Sequence, residues 1–149
     1  MAPEADRVLV DAGDFADAPA ALIEEAVLRT LAAAGRPDVE ISVALLGGDD
    51  IRELNRRYLG KDSATDVIAF TLGEGSEIVG DVYIGVSQAL RQAGELGVPL
   101  REELARLAIH GTLHVLGHDH PEGPEREESP MFQLQERLLR DLLRDSPTA

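Results

Sequence analysis

All four histidines of the chain fall within one stretch of eleven residues, HGTLHVLGHDH, at positions 110–120. Neutral imidazole is the commonest metal ligand among side chains. His110 and His114 stand at i and i+4, one face of an α-helix, so both rings can converge on one ion. The next histidines come only after Gly117, a residue at which a helix stops and the chain can fold back. Were the helix to continue, His110, His114 and His118 would form a row roughly 12 Å long at about 1.5 Å per residue. Metal–nitrogen bonds of about 2 Å cannot span that row. The turn therefore selects His120 as third ligand and leaves His118 as an outer-shell or surface residue. A lone inward histidine is usually a hydrogen-bonded core residue, but three at this spacing around a turn point to a metal site. Three histidines leave a coordination position for water, the arrangement of a catalytic zinc, unless Asp119 closes the shell as a fourth ligand.

The skeleton H-x-x-x-H-x-x-G-x-x-H is also the ligand pattern of metzincin peptidases, which carry a glutamate base directly after the first histidine. Gly111 occupies that position here, so a peptidase mechanism of that kind lacks its base. A zinc ion with an open position lowers the pKa of its water to about 7 and polarises a phosphoryl oxygen. Asp66 and Asp119 are the catalytic candidates: each can orient a ligand's second ring nitrogen or accept a proton. Each serves equally well as a turn or capping residue, and the sequence assigns no general base.

The elements that must hold these residues follow from hydrophobic period. RVLV at 7–10 reads as a strand, and Ile23, Val27, Leu31 and Ala34 recur at helical spacing from Pro19 until Gly35 and Pro37. Val39, Ile41, Val43 and Leu45 alternate as in a strand with one buried face. A short helix with Ile51, Leu54 and Tyr58 on its buried side follows, starting at an Asp cap. TDVIAF at 65–70, apolar on both faces, reads as a central strand. It is linked by a turn to a strand GDVYIG at 80–85. Ser87 is placed to cap a helix running to the glycines at 94 and 97. From Leu100 to Leu116 the stripe of Leu104, Leu107, Ala108, Gly111 and Val115 turns His110 and His114 inward. Pro130 opens a last helix with Met131, Leu134, Leu138 and Leu142 as its packing stripe. The expectation is an α+β fold: a small mixed β-sheet of about four strands packed with about five helices, one layered domain over residues 1–149.

Composition limits the partners. The absence of cysteine removes disulfides and thiolate ligands, and fits a reducing cytosol. MAPEADRVLV lacks the basic and apolar regions of a signal peptide, and no later run is long enough to span a membrane, which predicts a soluble, unprocessed chain. The formal net charge of −14 repels polyanions at long range. A nucleic-acid partner therefore needs a local exception, and the densest cationic segment is Arg52, Arg56, Arg57 and Lys61. Charge alone would make that segment a solvated helix face.

The motif and the blocks around it resemble the YbeY endoribonucleases, the rRNA maturation factors. HGTLHVLGHDH is similar to that family's HGxLHLxGYDH, LNRRYLGKDSATDVIAF to its LNxxYRGKDxPTDVLSF, GDVYIG to its GDIxIS strand, and MFQLQERLL to its final helix. The resemblance runs in order from about the second strand to the last helix. It implies a cytoplasmic hydrolase of single-stranded RNA that holds one zinc ion on His110, His114 and His120. It also implies action in small-subunit rRNA maturation and ribosome quality control, with the ribosome or its assembly factors as partners. On this reading Arg56, Arg57 and Lys61 become the RNA-contact candidates. The family's arginine in YRGKD is Leu59 here and its serine in TDVLSF is Ala69, so the neighbouring cations would have to supply the arginine's charge. Two other readings stay open: a zinc-containing ribosome-assembly factor without catalysis, and a metal-dependent hydrolase of a substrate other than nucleic acid. The sequence leaves oligomeric state undetermined.

Overall fold

A computed structural model describes residues 7–73, 77–118 and 128–145. Its elements run β1 (Val8–Asp11), α1 (Ala20–Ala33), β2 (Glu40–Leu46), α2 (Gly48–Leu59), β3 (Val67–Leu72), β4 (Val79–Gly85), α3 (Val86–Leu96), α4 (Leu100–Val115) and α5 (Pro130–Asp145). The strands form one mixed sheet in the order β1-β2-β4-β3, with β1, β2 and β4 parallel and β3 antiparallel to β4. The α+β fold of about four strands and five helices is thus observed among the described residues.

Alternation along the strands sets where the core lies. Ile41, Val43 and Leu45 of β2 stand in register with Gly80, Val82 and Ile84 of β4 on one face. All but the glycine are buried aliphatics, each contributing roughly 1.5–3 kcal/mol on burial. α1 closes this face with Ile23, Val27 and Leu31, at helical spacing and essentially inaccessible. α4 touches α1, α3, α5, β3 and β4, which makes it the central helix. It comes close to the sheet because both surfaces lack a side chain at the crossing: a Cβ on Gly111 would meet Val82 Cγ1 at 2.5 Å, and one on Gly80 would meet Val115 Cγ1 at 2.5 Å. Gly111 is therefore explained by packing.

Four local expectations are corrected. β3 is an edge strand, not a central one; it reads as apolar throughout because Val67 and Ala69 pack toward the core while Ile68 is buried on the opposite face. The buried side of α2 is Ile51 and Asn55, with Tyr58 exposed. The amide of Asn55 donates to Ser63 C=O at 2.9 Å, which gives a polar side chain a reason to be inside. α2 and α3 begin at Gly47 and Gly85 without a side-chain cap, so Asp49, Asp50 and Ser87 lie inside the first turns. The line of burial on α5 is Met131, Gln135, Leu139 and Leu142, rotated from the expected stripe, with Leu134 and Leu138 at its margin. No helix among the described residues is long and apolar enough to cross a membrane.

Candidate metal centre

α4 ends where the spacing predicts, and its last turn explains how. Gly117 adopts φ +95°, its N–H donates to His114 C=O at 3.0 Å, and the His118 N–H donates to Leu113 C=O at 2.9 Å. These are the paired bonds of a helix closed by a left-handed residue. His118 therefore spends its backbone donor on the helix end and is no longer on the line of His110 and His114. Asp119 and His120 lie outside the described residues.

The helical pair converges. His110 is buried and His114 half-buried, their rings are 4.6 Å apart, and their Nε2 atoms approach to 3.1 Å. Two nitrogens bound to one tetrahedral zinc ion at 2.0–2.1 Å are separated by roughly 3.3–3.4 Å, so the pair already has nearly the spacing of two ligands. His110 Nδ1 lies 2.7 Å from Gln135 Oε1. An amide oxygen only accepts, so Nδ1 carries the proton and the lone pair lies on Nε2, the atom that faces His114. The donor set fits a zinc or similar divalent ion. Among the described residues no group of three or more His, Cys, Asp or Glu is placed to hold a metal; they contribute the pair.

Behind His110 runs a polar relay. Gln135 Nε2 donates to Glu136 Oε2 at 3.0 Å, and Arg106 reaches the same carboxylate through Nε at 2.9 Å and Nη2 at 3.2 Å. Arg106 also bonds Glu103 and lies 3.5 Å from Glu102. Burial pushes the Glu103 carboxyl above its ordinary value, against the opposing pull of Arg106. The residues of this relay were missed from sequence. One signal was present: Gln135 is a polar residue four positions from both Met131 and Leu139, in the middle of an apolar line.

The pair opens into a cavity of about 450 Å³ walled by Leu59, Asp66, Val67, Ile68, Ala69, Gly111 and the two histidines. A second cavity, of about 290 Å³, shares Asp66 and His110 and is walled by Gln92, Arg106 and Gln135 among others. Asp66 borders both, and its oxygens accept three hydrogen bonds. Oδ1 accepts from the Val67 N–H at 2.8 Å and the Thr65 hydroxyl at 3.3 Å, and Oδ2 accepts from Gln92 Nε2 at 3.1 Å. Because Gly85 N–H donates to Asp66 C=O at 2.8 Å, alternate residues 66, 68 and 70 face β4 across the ladder. The intervening Val67 and Ala69 turn their peptide groups to the free edge, where the cavity lies.

The RNA-contact candidates stand apart from the histidines, on the last turn of α2 and just after it. Arg56 holds Glu53 at 2.6 and 3.1 Å, and Arg57 lies 3.8 Å from the same carboxylate. Lys61 is exposed and makes no ion pair among the described residues. Leu59, at the end of that helix, is the member of the segment that lines the histidine cavity.

A family model described as Endoribonuclease YbeY matches residues 13–143. An endoribonuclease YbeY from Aquifex aeolicus is 45% identical over 123 residues, covering 80% of this chain and 81% of the relative. One from Persephonella marina is 42% identical over 125 residues, with the same shares covered. The solution structure of a Thermotoga maritima protein matches with a TM-score of 0.65 and 26% identity, over 95% of this chain and 92% of that one.

Proposed function

The chain belongs to the Endoribonuclease YbeY family, and from that premise we propose that it is a zinc-dependent, single-strand-specific endoribonuclease. It acts in the cytoplasm on small-subunit ribosomal RNA, in maturation and in ribosome quality control, as one domain over residues 1–149. Its partners are RNA and the ribosome or its assembly factors. His110, His114 and His120 hold one zinc ion. The observation that carries the reading is the convergence of two Nε2 atoms at 3.1 Å, one of them fixed as a lone-pair donor by Gln135, on a cavity at the sheet's free edge.

When bound, such an ion supplies a Lewis acid for the phosphodiester and makes water a nucleophile near neutral pH. The chain's own residues do the positioning. Gln135 orients His110 from behind. The outward peptide groups of Val67 and Ala69 offer hydrogen bonds to a strand lying along the cavity. Asp66, engaged by three donors, anchors the start of β3 and borders the cavity beside His110. Asp66 and Asp119 are the candidates for the proton acceptor. Arg56, Arg57 and Lys61 meet the RNA backbone outside the cavity.

One observation favours a second reading. Leu59 puts an apolar side chain into the cavity wall where the family resemblance expects an arginine, which suits a zinc-containing assembly factor that binds RNA without cutting it. The test is cleavage of matched single-stranded and duplex RNA by the purified chain, after metal stripping and after zinc is restored. Zinc-dependent cutting of the single strand alone is expected. His120→Ala should lose most of the metal and His118→Ala should keep it. Zinc-loaded protein that binds RNA and leaves it intact would establish the second reading, and cleavage indifferent to stripping would overturn the metal assignment.

A further inference from the structure

α1 and α4 pack on one face of the sheet, and the opposite face, which the end of α2 reaches, carries an aromatic cluster outside that core. Tyr58, Phe70 and Tyr83 form a chain of edge-to-face contacts, with centroids at 5.6 and 6.0 Å. The protein has two tyrosines, three phenylalanines and no tryptophan, so three of its few aromatic rings, including both tyrosines, meet at this one place. Tyr58 is nonetheless 59% exposed. A stabilising cross-strand contact alone would account for Phe70 and Tyr83, on paired strands, but not for an exposed ring brought in from the end of α2.

The cluster is continuous with the histidine cavity. Leu59 lines that cavity and its neighbour Tyr58 touches Phe70; Ala69 lines it and its neighbour Phe70 points to the other face. The two segments that wall the site thus each present an aromatic ring just round the edge of β3. Charge helps select the occupant. Asp49 and Asp50 stand in the first turn of α2, whereas Arg56 and Arg57 stand in its last turn beside Tyr58, paired with Glu53, and Lys61 follows. Asp81, on the sheet side, is close enough to help burial raise the Tyr83 phenol. A ligand that lays flat rings on the sheet and an anionic backbone past the last turn of α2, where a phosphate can displace Glu53, meets both demands, and unpaired RNA is such a ligand.

We propose that Tyr58, Phe70 and Tyr83 form a stacking platform for unpaired bases flanking the phosphodiester held at the histidine pair, an assignment that rests on the ribonuclease reading above.

With no tryptophan and two tyrosines, the intrinsic ultraviolet emission of the native chain comes from the platform itself. The full-length protein would be titrated with a single-stranded oligouridylate and, separately, with inorganic polyphosphate as a charge-only probe. RNA binding would be followed independently through a label on the oligonucleotide. The expected result is saturable quenching by oligouridylate in step with binding, and none with polyphosphate. Tyr58→Ala should weaken binding by roughly 5- to 150-fold, the range for loss of one base–aromatic stack, while Tyr58→Phe, which keeps the ring, should not. Tyr58 is exposed, and an unchanged melting temperature would show that the alanine variant is folded. Normal zinc-dependent cleavage with unchanged emission, or equal binding by Tyr58→Ala, would overturn the platform and leave the ribonuclease reading standing. Absence of both RNA binding and cleavage would overturn both. Emission that changes on dilution of the free protein, with a sedimenting dimer, would assign the face to a second copy of the chain and overturn the proposal.

Discussion

Arg106 and Arg56 both grip a glutamate three residues away in sequence on their own helix, yet they belong to different kinds of structure. The side chain of Arg106 is 17% exposed and that of its partner Glu103 only 4%, whereas Arg56 and Glu53 are 56% and 49% exposed. In the seam between α4 and α5 the ion pairs are largely shielded from water, Glu103 most of all, and its charge depends chiefly on Arg106. On the last turn of α2 water competes for the same groups, so the pairs are interchangeable with hydration and contribute little to the fold. The seam holds His110 in one orientation through Gln135; under the proposed function, the exposed α2 arginines can exchange a glutamate for a phosphate.

The largest effect should come from breaking the seam. Arg106→Ala leaves Glu103 and Glu136 without their cation and should cost about 3–5 kcal/mol in denaturant unfolding at pH 7. The pH dependence has a definite sign. Burial already holds the Glu103 carboxyl above its ordinary 4.5, and without Arg106 nothing opposes it. The folded chain then binds that proton more tightly than the unfolded chain does. Its stabilising effect is complete below the unfolded value and declines as pH rises through the folded one, so the deficit of the variant should shrink on acidification. A small loss at pH 7, or one independent of pH, would put Arg106 in the same class as the α2 arginines.

A smaller effect is expected one step along the relay. Gln135→Leu removes the acceptor at His110 Nδ1 and should weaken zinc binding by about 10- to 100-fold, measured by competition with a chelator. Gln135→Glu, which restores an acceptor, should recover most of it. Unchanged affinity in the leucine variant would mean that α5 does not set the tautomer.

The smallest effects belong to α2. Glu53→Gln should leave the melting temperature unchanged and release Arg56 and Arg57, tightening single-stranded RNA binding severalfold at low salt. The slope of log K against log salt should steepen by roughly 0.7 for each further phosphate that the freed arginines neutralise. Joint replacement of Arg56, Arg57 and Lys61 by alanine should flatten it. A slope unmoved by either change would return the patch to a solvated helix face.

The sequence by itself determined what depends on local backbone geometry. The i, i+4 spacing of His110 and His114 fixes their common face because 3.6 residues make a turn. Gly117 marks the helix end because it tolerates the left-handed conformation seen at φ +95°. Alternation and helical period revealed the strands and helices, and with them the fold class. Tertiary structure alone decided the rest, because those features depend on which distant surfaces meet. The partner of His110 comes from a residue 25 positions away. Gly111 is demanded by the approach of Val82 from another element, not by chemistry at its own position. β3 reads as central from its own residues, since apolar content reports the covering of its two faces, whereas edge position is a matter of hydrogen bonding to a neighbouring strand, which leaves no periodic trace in side-chain type.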